Sequence, residues 1–120
     1  MKCGVGKTTL TLGLASAAWN RHWRTLVVDL DPQANASIGV GLMDPALTVG
    51  DALADGRPGV AAEAIVPSTW GRGTDVLPSE PAVEHRVAES APGSEQRLRT
   101  VLAGVGHRYE LVVIDCPPSL

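Results

Sequence analysis

The residues best suited to chemistry lie near the start of the chain, where glycines, lysines and threonines occupy six of eight consecutive positions. They are Lys2, Cys3, Gly4, Val5, Gly6, Lys7, Thr8 and Thr9. Gly4 and Gly6 permit a tight turn in which several backbone N–H groups converge on one anion, and the positive end of a following helix adds to the attraction. This pattern predicts a phosphate-binding loop in which Lys7 contacts the β- and γ-phosphates of a nucleotide and the Thr8 hydroxyl binds Mg²⁺.

The loop departs from the strict pattern G-x-x-x-x-G-K-[ST] at its first position, where Met1 stands in place of glycine. For so short a motif, the alternative is a glycine-rich turn that merely precedes a helix and leaves Lys2 and Lys7 in solvent. Motifs elsewhere in the chain must therefore decide between the two interpretations.

Two acidic residues, Asp29 and Asp31, stand at the end of a short apolar run that begins at Thr25. Such a run is typical of a parallel strand that is covered on both faces. Because ligands of open α/β sheets bind beyond the carboxyl ends of the strands, we expect both acids in the same crevice as the loop. A polar turn that ends the strand at Pro32 would look partly similar.

A second apolar run, from Tyr109 to Asp115, is the strongest buried-strand signal in the chain and also ends on a carboxylate. An acid at this position commonly helps to hold the Mg²⁺ of a phosphate loop. Asp115 is therefore a candidate metal-binding residue. The alternative is an aspartate that only ends the strand before the turn at Pro117 and Pro118.

Helical and strand patterns alternate along the chain. The predicted helices are Lys7 to about Arg21, Val49 to Ala54 with a Thr48 cap, Ala61 to Ala64, a short one within Pro78 to Gly93, and one from a Ser94 cap through Val105. The predicted strands are Thr25 to Leu30, Ile65 to Pro67, Asp75 to Pro78 and Tyr109 to Asp115. Helices that alternate with buried strands indicate β-α-β units, and hence an α/β fold with a parallel sheet.

Composition narrows the class of protein. A chain of 120 residues, of which 44% are hydrophobic, is sufficient for one domain with its own core. The net charge is −3 and the ten basic residues are spread out, so no basic stripe for nucleic acid is visible. Two cysteines are too few for a disulfide framework. The chain has no apolar run of about 18 residues and no signal-peptide pattern, so we expect a cytoplasmic location.

Three motifs together resemble those of the ParA/MinD superfamily of ATPases, which carry a deviant Walker A motif. Lys2 to Thr9 is similar to K-G-G-x-G-K-[ST]-[ST], with Cys3 in place of a glycine. The stretch Asp29 to Asn35, D-x-D-P-Q-x-N, is similar to the second motif and first switch region of the family. The stretch Val112 to Leu120 is similar to its Walker B motif and second switch. The D-P-Q-x-N form favours the ParA (Soj-like) partitioning branch.

This resemblance implies a three-layer fold of the P-loop NTPase type that binds ATP and Mg²⁺ and acts as an ATP-dependent dimer. By the same resemblance, Lys2 crosses to the phosphates of the partner subunit, and Asp31 orients the attacking water. Asp29 supports the magnesium shell, and Asp115 holds the ion with Thr8. The intact family cycle controls non-specific DNA binding and the response to a ParB-type partner, which implies association with the nucleoid.

The resemblance also implies that residues 1–120 form a partial ATPase domain. In the family a buried strand precedes the phosphate loop and lies beside the Walker B strand, and further strands and helices follow the second switch. We therefore expect a domain that is incomplete at both ends. Two other hypotheses remain open at this point: a non-catalytic remnant with weak or no nucleotide binding, and a membrane-cycling ATPase of the MinD type.

Overall fold

The computed structural model describes residues 7–30, 47–69, 73–79 and 94–115. The loop before Lys7, Asp31 and most of the helix predicted within Pro78 to Gly93 lie outside these ranges. The described elements are α1 (Lys7–Asn20), β1 (Thr25–Asp29), α2 (Val49–Asp55), a 3-10 helix (Val60–Glu63), β2 (Val66–Pro67), β3 (Thr74–Leu77), α3 (Ser94–Val101), a 3-10 turn (Gly106–Arg108) and β4 (Leu111–Asp115).

The described strands form one sheet in the order β2-β3-β1-β4. β1 is parallel to β3 on one side and to β4 on the other, and the short β2 runs antiparallel to β3. The alternation of helices and buried strands predicts an α/β fold with a parallel sheet, and the structure confirms it for β3, β1 and β4. The antiparallel β2 departs from the prediction.

Residues on the two faces of β1 pack against different helices, because successive side chains of a strand point to opposite faces. Val27 packs with Ala15 of α1. Leu26 and Val28 belong to the larger cluster on the other face, together with apolar residues of α2 and α3. The molecule therefore has three layers, with the sheet between α1 and the α2 and α3 pair.

The helix α1 begins at Lys7 and ends at Asn20, as its sequence pattern predicts. Ala15 and Ala18 are buried against the sheet, whereas Leu14 is 45% exposed although its spacing from Ala18 also predicts an inward position. Alanine has the smallest side chain that still buries apolar surface, so this face brings the helix axis close to the strands. Leu14 lies about 100° around the helix from Ala15 and so points away.

The helix α2 is capped at its start as predicted. The Thr48 hydroxyl accepts a hydrogen bond from the Asp51 amide at 3.3 Å, and the Thr48 amide donates to the Asp51 carboxylate at 2.9 Å. This capping box satisfies two backbone donors at once. Gly56, at φ 75°, ends the helix in a left-handed conformation that favours glycine. The segment predicted as a helix over Ala61 to Ala64 is a tighter 3-10 helix, Val60–Glu63.

The helix α3 is shorter than its pattern predicts. It spans Ser94–Val101, so Ser94 is its first residue rather than its cap, and the prediction of a helix through Val105 is wrong. Val105 is nevertheless buried, because turns after Val101 return it to the core. Gly104 lies at φ 76°, which breaks the helical path before Val105.

Within the described ranges, no helix is long and apolar enough to cross a membrane.

Candidate functional site

Two aspartates lie side by side at the carboxyl edge of the sheet. Asp29 ends β1 and Asp115 ends β4, and the two residues are partners in the parallel register. Neighbouring strands are about 4.8 Å apart, so both carboxylates belong to one small region. Each residue is 0% exposed. Burial of two acids in one place is costly unless other groups compensate, and both aspartates do have further interactions in the structure.

Strand alternation determines which face these carboxylates occupy. Val27 packs against α1, and Asp29 is two residues further along the same strand, so Asp29 lies on the α1 face. Asp115 lies on the same face, because partners in a parallel register share it. The Leu30 amide donates to the Asp115 carbonyl at 2.8 Å, which extends the ladder beyond both aspartates.

The start of α1 points toward the same edge. Four residues join the end of α1 to the start of β1, so the helix runs back along the sheet in the opposite direction to the strand. The end of α1 therefore lies near the amino edge and Lys7 lies toward the carboxyl edge. The positive end of the helix is directed to the region of Asp29 and Asp115, where it would attract an anion such as a phosphate.

The structure describes only part of the predicted site. Lys7, Thr8 and Thr9 form the first turn of α1. The loop residues Lys2, Cys3, Gly4, Val5 and Gly6 and the predicted water-orienting Asp31 lie outside the described ranges. The roles of all these residues stay predictions.

The donor set at this edge suits a hard divalent cation. Mg²⁺ prefers oxygen ligands and commonly binds through one or two carboxylates together with water and substrate phosphates. Asp29 and Asp115 supply two such carboxylates. No cluster of three or more potential metal ligands is present among the residues that the structure describes. The pair therefore fits an ion that takes its other ligands from water and from substrate phosphates.

A second feature lies at the opposite, amino edge of the sheet, and the sequence motifs do not indicate it. It is a cavity of about 420 Å³ that we call the amino-edge cavity, lined among the described residues by Arg24, Gly73, Asp75, Arg108 and Tyr109. Arg24 precedes β1, Gly73 precedes β3 and Tyr109 precedes β4. The residues come from three distant parts of the chain, so no local pattern could reveal them.

Tyr109 is tied to β3 at this edge. Its hydroxyl donates to the Asp75 carboxylate at 2.7 Å. Burial of the phenol raises the Tyr109 pKa well above its usual range, and the hydrogen bond to Asp75 raises this pKa further. The positive charges of Arg108 and Arg24 lower it. Both guanidinium groups therefore lie within electrostatic reach of the phenol.

The comparisons with known proteins place the chain in a family. Residues 1–120 match the family AAA_31, described as an AAA domain. The chain is 37% identical to the chromosome partitioning protein ParA of Myxococcus xanthus, covering 99% of this chain and 42% of that protein. It is 36% identical to the sporulation initiation inhibitor protein Soj of Bacillus subtilis, covering 99% and 47%. The chain thus spans about half the length of these relatives.

Solved structures show the same fold. Cobyrinic acid a,c-diamide synthase from Mycobacterium smegmatis, with bound ATP analog and magnesium, superposes with a TM-score of 0.81 at 30% identity and covers 98% of this chain and 48% of that one. The septum site-determining protein MinD from Pyrococcus horikoshii, complexed with Mg-ADP, has a TM-score of 0.74 at 31% identity, with 99% and 46% covered. The sheet is therefore that of the P-loop ATPases, and the chain belongs to the AAA_31 family of AAA domains as a ParA/MinD-type homologue.

Proposed function

We propose that this protein binds and hydrolyses ATP as a partitioning ATPase that acts as an ATP-dependent dimer. The observation that carries the proposal is the pair of fully buried, register-matched aspartates Asp29 and Asp115. They lie on the α1 face of the sheet, at the edge toward which Lys7 begins the helix. This arrangement supports the proposal, because carboxylates suit a magnesium ion and the start of a helix suits phosphates.

In this proposal the backbone amides from Gly4 to Thr9 hold the phosphates, and Lys7 contacts the β- and γ-phosphates. The Thr8 hydroxyl, Asp29 and Asp115 hold Mg²⁺. The bound ion supplies positive charge that neutralises the phosphate oxygens. These residues position the nucleotide, and positioning with charge stabilisation is most of the catalysis in phosphoryl transfer.

Hydrolysis in this proposal is an in-line attack by water on the γ-phosphorus. Asp31 orients that water, and the departing ADP oxygen leaves on the opposite side. Lys2 reaches the phosphates of the partner subunit in the dimer. Lys2 and Lys7 then stabilise the charge that develops on the phosphoryl oxygens.

The partitioning role rests on the relatives. ParA and Soj are 37% and 36% identical over 99% of the chain. A MinD-type membrane cycle is the competing role, since MinD is 31% identical in the structural comparison. A ParB-type partner, non-specific DNA and association with the nucleoid belong to the same proposal.

The outer side of β4 supports a further part of the proposal. Among the described strands, β4 pairs only with β1, so its second row of backbone hydrogen-bonding groups faces away from the sheet. We propose that a parallel strand leading into the phosphate loop occupies this side in the complete domain. Such a strand would hold the loop beside Asp115 and would remove an edge that favours aggregation.

The testing experiment measures ATP binding, ATP hydrolysis and dimer formation in the same purified protein. Lys7→Ala is expected to abolish ATP binding. Asp31→Ala is expected to retain binding, stop hydrolysis and accumulate the ATP-bound dimer. Asp55→Ala is the matched control, because Asp55 is an exposed carboxylate at the end of α2 and is expected to leave all three properties unchanged.

Equal hydrolysis rates in wild type and Asp31→Ala would contradict the proposed mechanism. A Lys2→Ala protein that dimerises normally with ATP would remove the role of Lys2 across the dimer. Absence of ATP binding in the wild-type protein would favour the non-catalytic remnant. ATP-dependent recruitment to lipid vesicles, without an effect of DNA, would favour the MinD-type cycle.

A further inference from the structure

The amino-edge cavity lies at the far end of the strands that carry Asp29 and Asp115. β1 and β4 each have five residues, which corresponds to about 16 Å at 3.3 Å per residue. A ligand in the cavity would thus be separate from a nucleotide at the carboxyl edge. Its volume of about 420 Å³ is within the roughly 300–1,000 Å³ that is usual for small-molecule sites.

The backbone around the cavity is held by short hydrogen bonds between neighbouring strand ends. The Glu110 amide donates to the Arg24 carbonyl at 2.7 Å, and the Thr25 amide donates to the Gly73 carbonyl at 2.6 Å. Gly73 lies at φ 97°, where glycine is favoured, and a Cβ there would come within 3.4 Å of the Trp23 carbonyl. The backbone of these strand ends is therefore held in place by hydrogen bonds between neighbouring segments.

The charged groups of the cavity are arranged for an anion that also carries hydroxyl groups. Arg24 and Arg108 both line it, and neither forms an ion pair with a carboxylate among the residues that the structure describes. Guanidinium groups bind phosphate through paired hydrogen bonds. Asp75 already accepts the Tyr109 hydroxyl through one carboxylate oxygen, and its remaining acceptor positions suit a ligand hydroxyl.

We propose that the amino-edge cavity binds a small hydroxylated phosphomonoester, such as a sugar phosphate, with its phosphate between Arg24 and Arg108 and a hydroxyl group on Asp75. Tyr109, fixed by Asp75, forms the wall against which the body of the ligand packs. A phosphomonoester carries about −1.5 to −2 charges near neutral pH. Two arginines and one aspartate give the cavity a net charge of about +1, which is opposite in sign to that of the ligand. The ligand and cavity thus attract each other in spite of Asp75.

The test is isothermal titration calorimetry of the full chain with ribose 5-phosphate. All proteins carry Lys7→Ala, so that the predicted phosphate loop does not contribute a second site. Arg24→Gln and Arg108→Gln are each expected to weaken binding about tenfold or more, because each removes charge-assisted hydrogen bonds to the phosphate. Arg21→Gln is the matched control and is expected to change the affinity less than about twofold, since Arg21 lies over the Trp23 ring and outside the cavity lining.

The side chains of Arg24, Arg108 and Arg21 are all exposed, so the three variants should fold alike, which circular dichroism checks. Titrations with inorganic phosphate and with ribose separate the two halves of the ligand, and both are expected to bind at least about tenfold more weakly than ribose 5-phosphate. Absence of binding by ribose 5-phosphate, equal losses in all three arginine variants, or equal affinity for inorganic phosphate would each overturn the proposal. None of these outcomes depends on whether the carboxyl edge hydrolyses ATP.

Discussion

β1 and β4 are neighbouring strands with similar apolar sequences, but they are covered to different extents in the fold. Their sequences are Thr-Leu-Val-Val-Asp and Leu-Val-Val-Ile-Asp, and both end on fully buried aspartates that pair in register. All residues of β1 are buried, whereas Val112 in β4 is 36% exposed. The two strands thus differ in side-chain burial along their length, but both end on a buried aspartate at the edge where we place the nucleotide.

Position in the sheet explains this difference. β1 lies between β3 and β4, and helices cover both of its faces. The α1 face of β4 is also covered, since Val113 and Asp115 on that face are buried. Val112 and Ile114 are on the other face, where Ile114 is partly buried against the cluster that includes α2 and α3, whereas Val112 is exposed. The two strands thus share burial on the α1 face, where both aspartates lie, and differ in burial on the other face.

The largest effect is expected from the paired aspartates. Asp29→Asn and Asp115→Asn should each lower the ATP affinity measured with Mg²⁺ by about 10- to 100-fold, because each removes a negative charge beside the metal. The loss should disappear when the affinity is measured with excess EDTA. Asp55→Asn serves as the control. An equal loss with and without Mg²⁺ would show that the pair does not hold the ion.

The contribution of the middle of each strand to stability can be compared by replacing a valine with alanine. Val27→Ala should destabilise the protein by about 2–3 kcal/mol, since it removes fully buried methyl groups and leaves a cavity between the sheet and α1. Val112→Ala should cost less than about 1 kcal/mol, because Val112 is already partly in water. Urea unfolding measures both. Similar losses would mean that the outer face of β4 is covered in solution.

The start of β4 offers a smaller and more specific test, because Tyr109 is the single tyrosine of the chain. Its raised pKa predicts that the tyrosinate absorbance band of the folded protein appears at higher pH than the usual value of about 10. The unfolded chain should titrate near that usual value. A group whose pKa is raised by folding stabilises the protein below the unfolded pKa, so stability should fall as the pH rises above about 10.

Tyr109→Phe should cost about 1 kcal/mol near neutral pH, where the hydrogen bond to Asp75 is intact. It should also abolish the part of the alkaline destabilisation that belongs to this phenol. Identical titration midpoints in the folded and unfolded protein would contradict the buried, hydrogen-bonded position of Tyr109.

The smallest effect is expected where β1 meets β3. Thr25 and Thr74 are partners in the register and both are fully buried. The Thr25 hydroxyl donates to the Trp23 carbonyl at 3.3 Å, whereas the Thr74 hydroxyl has no hydrogen-bond partner among the residues that the structure describes. Thr74→Val should therefore stabilise the protein by up to about 1 kcal/mol, and Thr25→Val should be neutral or mildly destabilising. Thermal unfolding measures both changes in stability. A larger loss of stability for Thr74→Val than for Thr25→Val would contradict the assignment of the hydrogen bond to Thr25 rather than to Thr74.

Local patterns predicted the elements whose signals are complete within a few residues. The start of α1 at Lys7, the start of β1 at Thr25 and the Thr48 cap of α2 all follow from spacing and capping chemistry. The helix predicted through Val105 was too long, because apolar spacing persists beyond Val101 while the backbone already turns at Gly104. Apolar spacing reports which residues reach the core, and turns can bring a residue to the core as well as a helix does.

The sequence by itself determined the family resemblance, the parallel α/β fold and the candidate aspartates, because the motifs and the apolar strands each consist of consecutive residues. Only the tertiary structure decided that Asp29 and Asp115 share one face and one register, and that Val112 remains partly exposed in a strand so similar to β1. It also decided that Arg24 and Tyr109 meet around one cavity. The physical reason is that register, coverage and convergence depend on how distant segments pack, which no stretch of consecutive residues contains.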